Sequence, residues 1–188
     1  MEKWIEKLKE KHSLSDTDVN TLLEIGEPIT FAAGNYVVRT GEVNDHIYII
    51  TSGVWREYCL KDGEEATIWF SVAGEITFSV WGYVGGEPSN LFIESMTESS
   101  AIFIPRSRLN ELFATSLTMA NLGRRIIENF ALHYERWHIQ MWRQSALDRY
   151  LALLDEYPEV IQKIPMKYIA SYLGVTAQSL SRIRASLI

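Results

Sequence analysis

Near the C-terminus the chain sets out side chains whose chemistry suits nucleic acid. Gln178 and Arg182 stand four residues apart with Ser181 between them, so on a helix all three project from one side. A guanidinium fork matches the O6 and N7 acceptors of guanine, and a glutamine amide matches N6 and N7 of adenine. Thr176, Ala177 and Ser179 begin the same helix, and Arg184 follows two residues after Arg182. Lys167, a little earlier, is suited to a phosphate. From Val160 onward there are four basic residues (Lys163, Lys167, Arg182, Arg184) and no Asp or Glu. A polyanion would attract such a segment.

The surrounding residues supply a frame to hold these groups. Pro165 can open a helix, since the first helical N–H has no partner anyway. Ala170 is small where a second helix must cross closely, and Gly174 suits the left-handed turn that ends the first helix. Thr176 can cap the second. Ile169, Leu173, Val175, Leu180 and Ile183 form a shared apolar set. The segment Ile164–Ile188 therefore reads as a helix-turn-helix, whose second helix enters the DNA major groove. The plainer alternative is a packed helical hairpin that touches no nucleic acid.

With 188 residues, 47% of them apolar, the chain can bury a full core as one large or two small domains. Its net charge of −6 hides an asymmetry. From Arg106 onward there are 11 basic and 7 acidic residues, whereas the preceding part has 7 basic and 17 acidic. An acidic front and a basic back suit a sensor joined to a DNA-binding unit. The single cysteine, Cys59, allows no intrachain disulfide and fits a reducing compartment. No apolar run approaches the roughly 18 residues that span a membrane, and the charged start lacks the apolar core of a signal peptide. A cytoplasmic protein without membrane contact is expected.

Trp4 to Glu24 reads as helix, split at Ser13-Leu14-Ser15, with Ser15 and Asp18 able to form a capping box. Eight short strands follow: Ile29–Phe31, Tyr36–Thr40, His46–Thr51, Val54–Leu60, Glu65–Phe70, Glu75–Phe78, Leu91–Met96 and Ala101–Ile104. Such regular short strands imply an antiparallel roll or jelly roll, with Asp62-Gly63 turning one hairpin. Beyond Pro105 the period changes to helical. A short helix spans Arg108 to Phe113, and a long one runs from Thr118 to Trp142. The latter carries an apolar stripe at Met119, Leu122, Ile126, Phe130, Trp137 and Met141. It would be roughly 37 Å long, with one side on the strand body and Met119, Leu122, Ile126, Phe130 and Trp137 in a seam with a second copy. The alternative buries both sides within one chain. A further helix, Ser145–Leu154, leads into the motif. The fold class is α+β, divided as roll 1–116, dimerisation helix 117–142 and helix-turn-helix unit 143–188.

This order of elements resembles the Crp/Fnr family of bacterial transcription regulators. The residues that carry the likeness are Phe31-x-x-Gly34, Gly41-Glu42, Tyr48-Ile49-Ile50-x-x-Gly53 and Gly74-Glu75, which follow the spacing of a cyclic-nucleotide-binding roll. Ser145-Ala-Leu-Asp-Arg-Tyr-Leu-Ala-Leu-Leu, Ile169-Ala-x-x-Leu-Gly-Val-Thr and Leu180-Ser-Arg-Ile extend it nearly to the end of the chain. The resemblance implies a homodimer on double-stranded DNA, a near-palindromic operator, RNA polymerase as a further partner and an effector pocket in the roll. That pocket would use Gly74, Glu75, Phe78, Pro88, Ser89, Asn129 and Phe130.

The pocket departs from the family pattern. Members that bind cyclic AMP follow Gly-Glu with Arg-Ser or Arg-Thr; the best counterpart here is Pro88-Ser89, and no Arg or Lys occurs from Trp69 to Pro105. A buried phosphate without a cation costs several kcal/mol, so cyclic AMP is not the expected ligand. Asn129 and Phe130 also replace the adenine-contacting hydroxyls. The aromatics Trp69, Phe70, Phe78, Trp81, Tyr83 and Phe92 either fill the core or line an apolar cavity for a small organic effector, whose identity stays unknown. One cysteine is too few for an iron–sulfur cluster, and His46, His133 and His138 read as surface or packed residues, not haem or metal ligands. The competing class is a cupin-like enzyme, but there is no His-x-His pair and no Gly-x-Ser-x-Gly elbow, so no catalytic residue is assigned. A sensor with a degenerate helix-turn-helix is a third reading. Family members continue into a β-hairpin wing beyond the recognition helix, for which little sequence remains after Ile183.

Overall fold

A computed structural model describes residues 2–187. Helices α1 (Lys3–His12) and α2 (Asp16–Ile25) open the chain. The split between them follows from Ser15, whose side chain accepts from Asp18 N while Asp18 answers to Ser15 N. Eight strands follow: β1 (Glu27–Phe31), β2 (Tyr36–Val38), β3 (Ile47–Ser52), β4 (Val54–Lys61), β5 (Glu64–Val72), β6 (Ile76–Thr77), β7 (Phe92–Ser95) and β8 (Ser99–Ile104). They form two antiparallel sheets of four, ordered β1-β8-β3-β6 and β2-β7-β4-β5. Asp62 and Gly63 both hold positive φ, as a tight turn matched to the strand twist requires, and close the β4–β5 hairpin. A π-helical turn, Trp81–Gly85, interrupts the strands; its aromatic and glycine residues give no strand or α-helix period.

The rest is helical: α3 (Arg106–Thr115), α4 (Leu117–Arg143), α5 (Ala146–Glu156), α6 (Pro158–Lys163), α7 (Met166–Tyr172) and α8 (Ala177–Ala185). Ser116 caps α4, and a Ser145–Asp148 capping box starts α5. Helix α5 ends at Glu156, and Pro158 begins α6 at its first turn, where its missing N–H costs nothing.

Three apolar clusters hold these parts together. Between the sheets lie Val38, Tyr48, Ile50, Trp55, Ile93 and Ala101. The other face of β3, Ile47 and Ile49, meets α1, α2, α3 and the first half of α4. The outer face of β4 and β5, through Val54, Phe70 and Val72, shares its core with α5 to α8. Strand β3 is thus buried on both faces, which explains its unbroken apolar run.

This packing corrects the seam expected from the sequence. Met119, Leu122 and Ile126 are buried in the chain's own core and are not available to a partner. Trp137 packs with Trp69 and Tyr172, at 6.5 and 6.4 Å between ring centroids. Phe130 is partly exposed and leans on Phe78 at 5.3 Å. The physical reason is that one apolar stripe is what a helix needs to lie on a sheet.

Two predictions follow from this core. Leu122→Ala should lower the unfolding free energy by about 2–5 kcal/mol, read from urea titration, because a fully buried side chain leaves a cavity. His12, buried with neither ring nitrogen hydrogen-bonded among the described residues, is held down to about 4, mainly by burial and then by the Lys11 charge. The unfolded chain protonates it near 6.5. Its neutral form therefore supports the fold fully above pH 6.5, and about 3 kcal/mol at most is lost as the pH falls to about 4. His12→Leu should flatten that acid limb in thermal melts between pH 4 and 7; superimposable limbs would contradict the assignment.

Candidate DNA-reading face and roll interior

Helices α7 and α8 pack through Ile169, Ala170, Leu173 and Leu180, all buried. Gly174, with φ +67, makes the left-handed turn, and Val175 N then donates to Ala170 O at 3.0 Å. Thr176 Oγ1 accepts from Ser179 N at 3.1 Å and so caps α8. Thr176, Ala177, Gln178, Ser181, Arg182 and Arg184 are exposed, with Ser179 half-buried beneath them. Arg182 and Arg184 make no ion pair among the described residues. Lys167 is exposed on α7, with its ammonium 4.5 Å from the centroid of the Tyr168 ring. The face is therefore polar and basic, and open to solvent.

Other side chains fix this pair to the roll. Ser171 Oγ accepts from Thr67 N at 2.9 Å and donates to Glu65 O at 3.2 Å. Thr67 and Glu65 belong to β5, an edge strand whose free groups need partners. Arg149 on α5 donates to Gln144 O at 2.6 Å, at the end of α4, and to Leu173 O at 2.8 Å, at the end of α7. Trp69 lies edge-on to His133 at 4.6 Å and to Tyr172 at 6.2 Å, joining roll, α4 and α7 in one aromatic cluster.

The residues expected to line an effector pocket are not gathered into one site. Gly74 and Glu75 form the turn between β5 and β6, and Lys7 of α1 lies against Gly74. Glu75 is buried and ion-paired with Lys11. Its other contacts come from the Tyr157 hydroxyl, donating at 3.1 Å, and from Val72 N at 3.2 Å. Burial, followed by the Glu75 charge, pushes the Tyr157 hydroxyl far above the usual phenol range. Ser89 is buried, with its hydroxyl donating to Leu91 O at 2.9 Å and its N–H to Glu42 O. Pro88 is exposed, and Asn129 sits at the surface, donating to Lys11 O at 3.4 Å. Gly74-Glu75 is thus a corner clamped by α1 and by Tyr157, the N-cap of α6, while Phe78 meets Phe130 away from it.

Most of the aromatics pack against one another. Phe78 meets Tyr83 at 5.2 Å, Phe92 stacks on Tyr58 at 4.9 Å, and Phe70 meets Tyr172 at 5.4 Å, while Trp81 is exposed. An apolar cavity bounded by Leu22, Ile47, Phe78, Tyr83, Leu122 and Ile126 measures about 10 Å³. That is room for one water molecule. Two polar residues escaped sequence reasoning. Glu57 alternates inward with Trp55 on β4, opposite Trp69 and Ile93, and burial followed by the Glu75 charge pushes its carboxyl up to about 8. Its position inside the roll was available from the alternation of Val54–Lys61. Arg56, on the opposite face of the same strand, is fully buried; nothing in its sequence context announces a neighbour 112 residues away.

Comparison with known proteins agrees with this geometry. Residues 28–116 match the cyclic nucleotide-binding domain. The nitrogen fixation regulation protein FixK of Rhizobium meliloti is 27% identical over 166 residues, spanning 84% of this chain and 74% of FixK. FixK2 from Bradyrhizobium japonicum superposes with a TM-score of 0.73 at 20% identity, covering 87% of this chain and 84% of its own. The c-di-GMP-responsive regulator CLP of Xanthomonas campestris gives 0.67 at 18% identity, covering 90% and 89%. Residues 28–116 thus form a cyclic nucleotide-binding domain by similarity, and in sequence and fold the chain as a whole is similar to Crp/Fnr-type transcription regulators.

Proposed function

We propose that the chain acts as a homodimer on double-stranded DNA, with α8 in the major groove and Gln178, Ser181 and Arg182 reading base edges. The observation that carries this reading is the exposed, basic outer face of α8 on a helix pair whose other side is fully packed. Thr176, Ala177 and Ser179 lie at the helix start, where recognition helices approach the bases. Lys167 and Arg184 serve the phosphates. The division into roll 1–116, long helix 117–142 and reading unit 143–188 is part of this reading, as are RNA polymerase as the downstream partner, a cytoplasmic location and a binding role without catalysis. Among the described residues no helix is long and apolar enough to cross a membrane.

For the seam we infer the face of α4 beside the buried stripe. Arg124, Ile127, Ala131, Tyr134, His138 and Trp142 follow one another in steps of three and four and are all exposed. Such spacing suits a two-helix contact. Tyr134 stacks on His138, which meets Trp142 edge-on; a second copy would cover this aromatic row.

The effector, if one acts, is not cyclic AMP in this reading. Glu75 is already engaged by Lys11 and Tyr157, and no cation lies between Trp69 and Pro105 for a cyclic phosphate.

Base readout predicts that Arg182→Ala costs roughly 1–3 kcal/mol on the operator and relaxes preference at one position per half-site, as measured by gel shift. Lys167→Ala should weaken all sequences alike and reduce the salt dependence. Equal losses on operator and random DNA for Arg182→Ala would remove its base-reading role. Ile127→Glu should turn the dimer into a folded monomer at micromolar concentration in sedimentation; a monomeric wild-type chain would refute the seam.

A further inference from the structure

Arg56 is a charged side chain in an unusual place. It belongs to β4 of the roll and is wholly buried. Its guanidinium lies between two tyrosine rings, with Cζ 4.1 Å from the centroid of Tyr58 and 3.8 Å from that of Tyr168. Tyr58 is its neighbour on β4, whereas Tyr168 is on α7 of the DNA-reading pair. In the plane of the fork, Nη2 donates to Glu65 at 2.7 Å and to Glu94 at 2.9 Å, while Nε also reaches Glu94 at 3.2 Å. The two carboxylates come from β5 and β7, on either side of β4. Three strands therefore hold one cation rigidly, and its free face is presented to α7.

A guanidinium held this way is a stacking platform of fixed position. Arginine stacks on aromatic faces as a planar group, and desolvation strengthens the contact. Next to it, Ser171 makes its two hydrogen bonds to the edge of β5. Tyr168 and Ser171 lie three residues apart, on one side of α7. That side is turned to the roll, while Ile169, Ala170 and Leu173 carry the packing onto α8. Roll, α7 and α8 are thus linked by two polar fastenings and one apolar core. Among the described residues, no other element of the roll makes a hydrogen bond to α7.

We propose that Arg56 is a positioning residue for DNA recognition: by clamping Tyr168 it sets the angle at which α8 leaves the roll, and hence the half-site spacing that the dimer accepts. The proposal rests on the DNA-reading dimer described above. Two linked recognition helices gain from each other only when their separation matches that of the half-sites, because the second contact forms at an effective concentration set by the linkage. A loosened α7 would leave each helix able to bind its own half-site but would blunt the advantage of the pair. Arg56 itself touches no DNA in this scheme; it acts through Tyr168.

The test compares the full chain with Tyr168→Ala, Tyr168→Phe and Arg56→Met on duplexes carrying one half-site, or two half-sites at a series of separations. Tyr168→Ala should bind the single half-site within about twofold of wild type, lose about tenfold on the best double site, and respond to separation with a broadened optimum. Tyr168→Phe keeps the aromatic face and should restore the wild-type optimum, which a loss of general stability would not explain. Arg56→Met leaves Glu65 and Glu94 without their cation, so its folding is checked first by circular dichroism; Tyr168→Ala carries the test if it fails. An unchanged optimum in folded Tyr168→Ala overturns the proposal, and so does an equal loss on single and double sites. If the wild-type chain selects no duplex at all, the DNA-binding reading falls as well, which separates the two failures.

Discussion

The outer face of the β4–β5 hairpin has to be covered, and much of the architecture follows from how that is done. Val54, Phe70 and Val72 point away from the roll's interior and would present an apolar patch to water if left bare. Helices α5 to α8 cover it, so the segment proposed to read DNA is also the cover of the sheet. Amid that patch sits Arg56, a cation removed from solvent. Burying a charge is tolerable only when it is paired and hydrogen-bonded, and Glu65, Glu94 and the two tyrosine rings meet that demand. The need to satisfy one guanidinium gives the docking of α7 a defined register, which apolar contact alone would leave loose.

The same principle governs the roll's other corner. Glu75 brings a carboxylate into the region where α1, β5 and the start of α6 meet, and Lys11 and Tyr157 answer it. The N-terminal helix is thereby tied to the turn before β6, and the reading unit to both. Long helix α4 completes the connection, with its first half in the core of the roll and its Trp137 against Tyr172 of α7. Movement of the reading unit would have to break polar contacts at two places together. That arrangement suits a regulator in which the roll's state and the pose of α8 depend on each other.

Much of this was legible in the sequence. All eight strands lie where apolar alternation and turn residues put them, because a half-buried strand writes its period into the chain. The helix-turn-helix was legible in more detail, since Gly174 and Thr176 have local backbone tasks that few residues perform. The seam was misread. Met119, Leu122 and Ile126 form the strongest stripe on α4, but periodicity says only that a face is covered, not by what. Ile127, Tyr134 and Trp142 read in the sequence only as a widening of that stripe, and their exposure separates them from it. The pocket was misread for another reason. Glu75 follows a familiar Gly-Glu spacing, yet its direction depends on Lys11 and Tyr157, 64 and 82 residues away. Arg56 was invisible for the same cause: an outward position on a strand normally faces water, and only the fold reveals that α7 covers it.

The central claim, that α8 reads DNA from a symmetric dimer, is tested most directly by in vitro selection of duplexes from a randomised pool with the purified chain. The account predicts enrichment of a near-palindrome whose half-sites lie about one helical turn apart, or a multiple of it. No enrichment over the starting pool, or a single asymmetric motif bound by one copy of the chain, would contradict it.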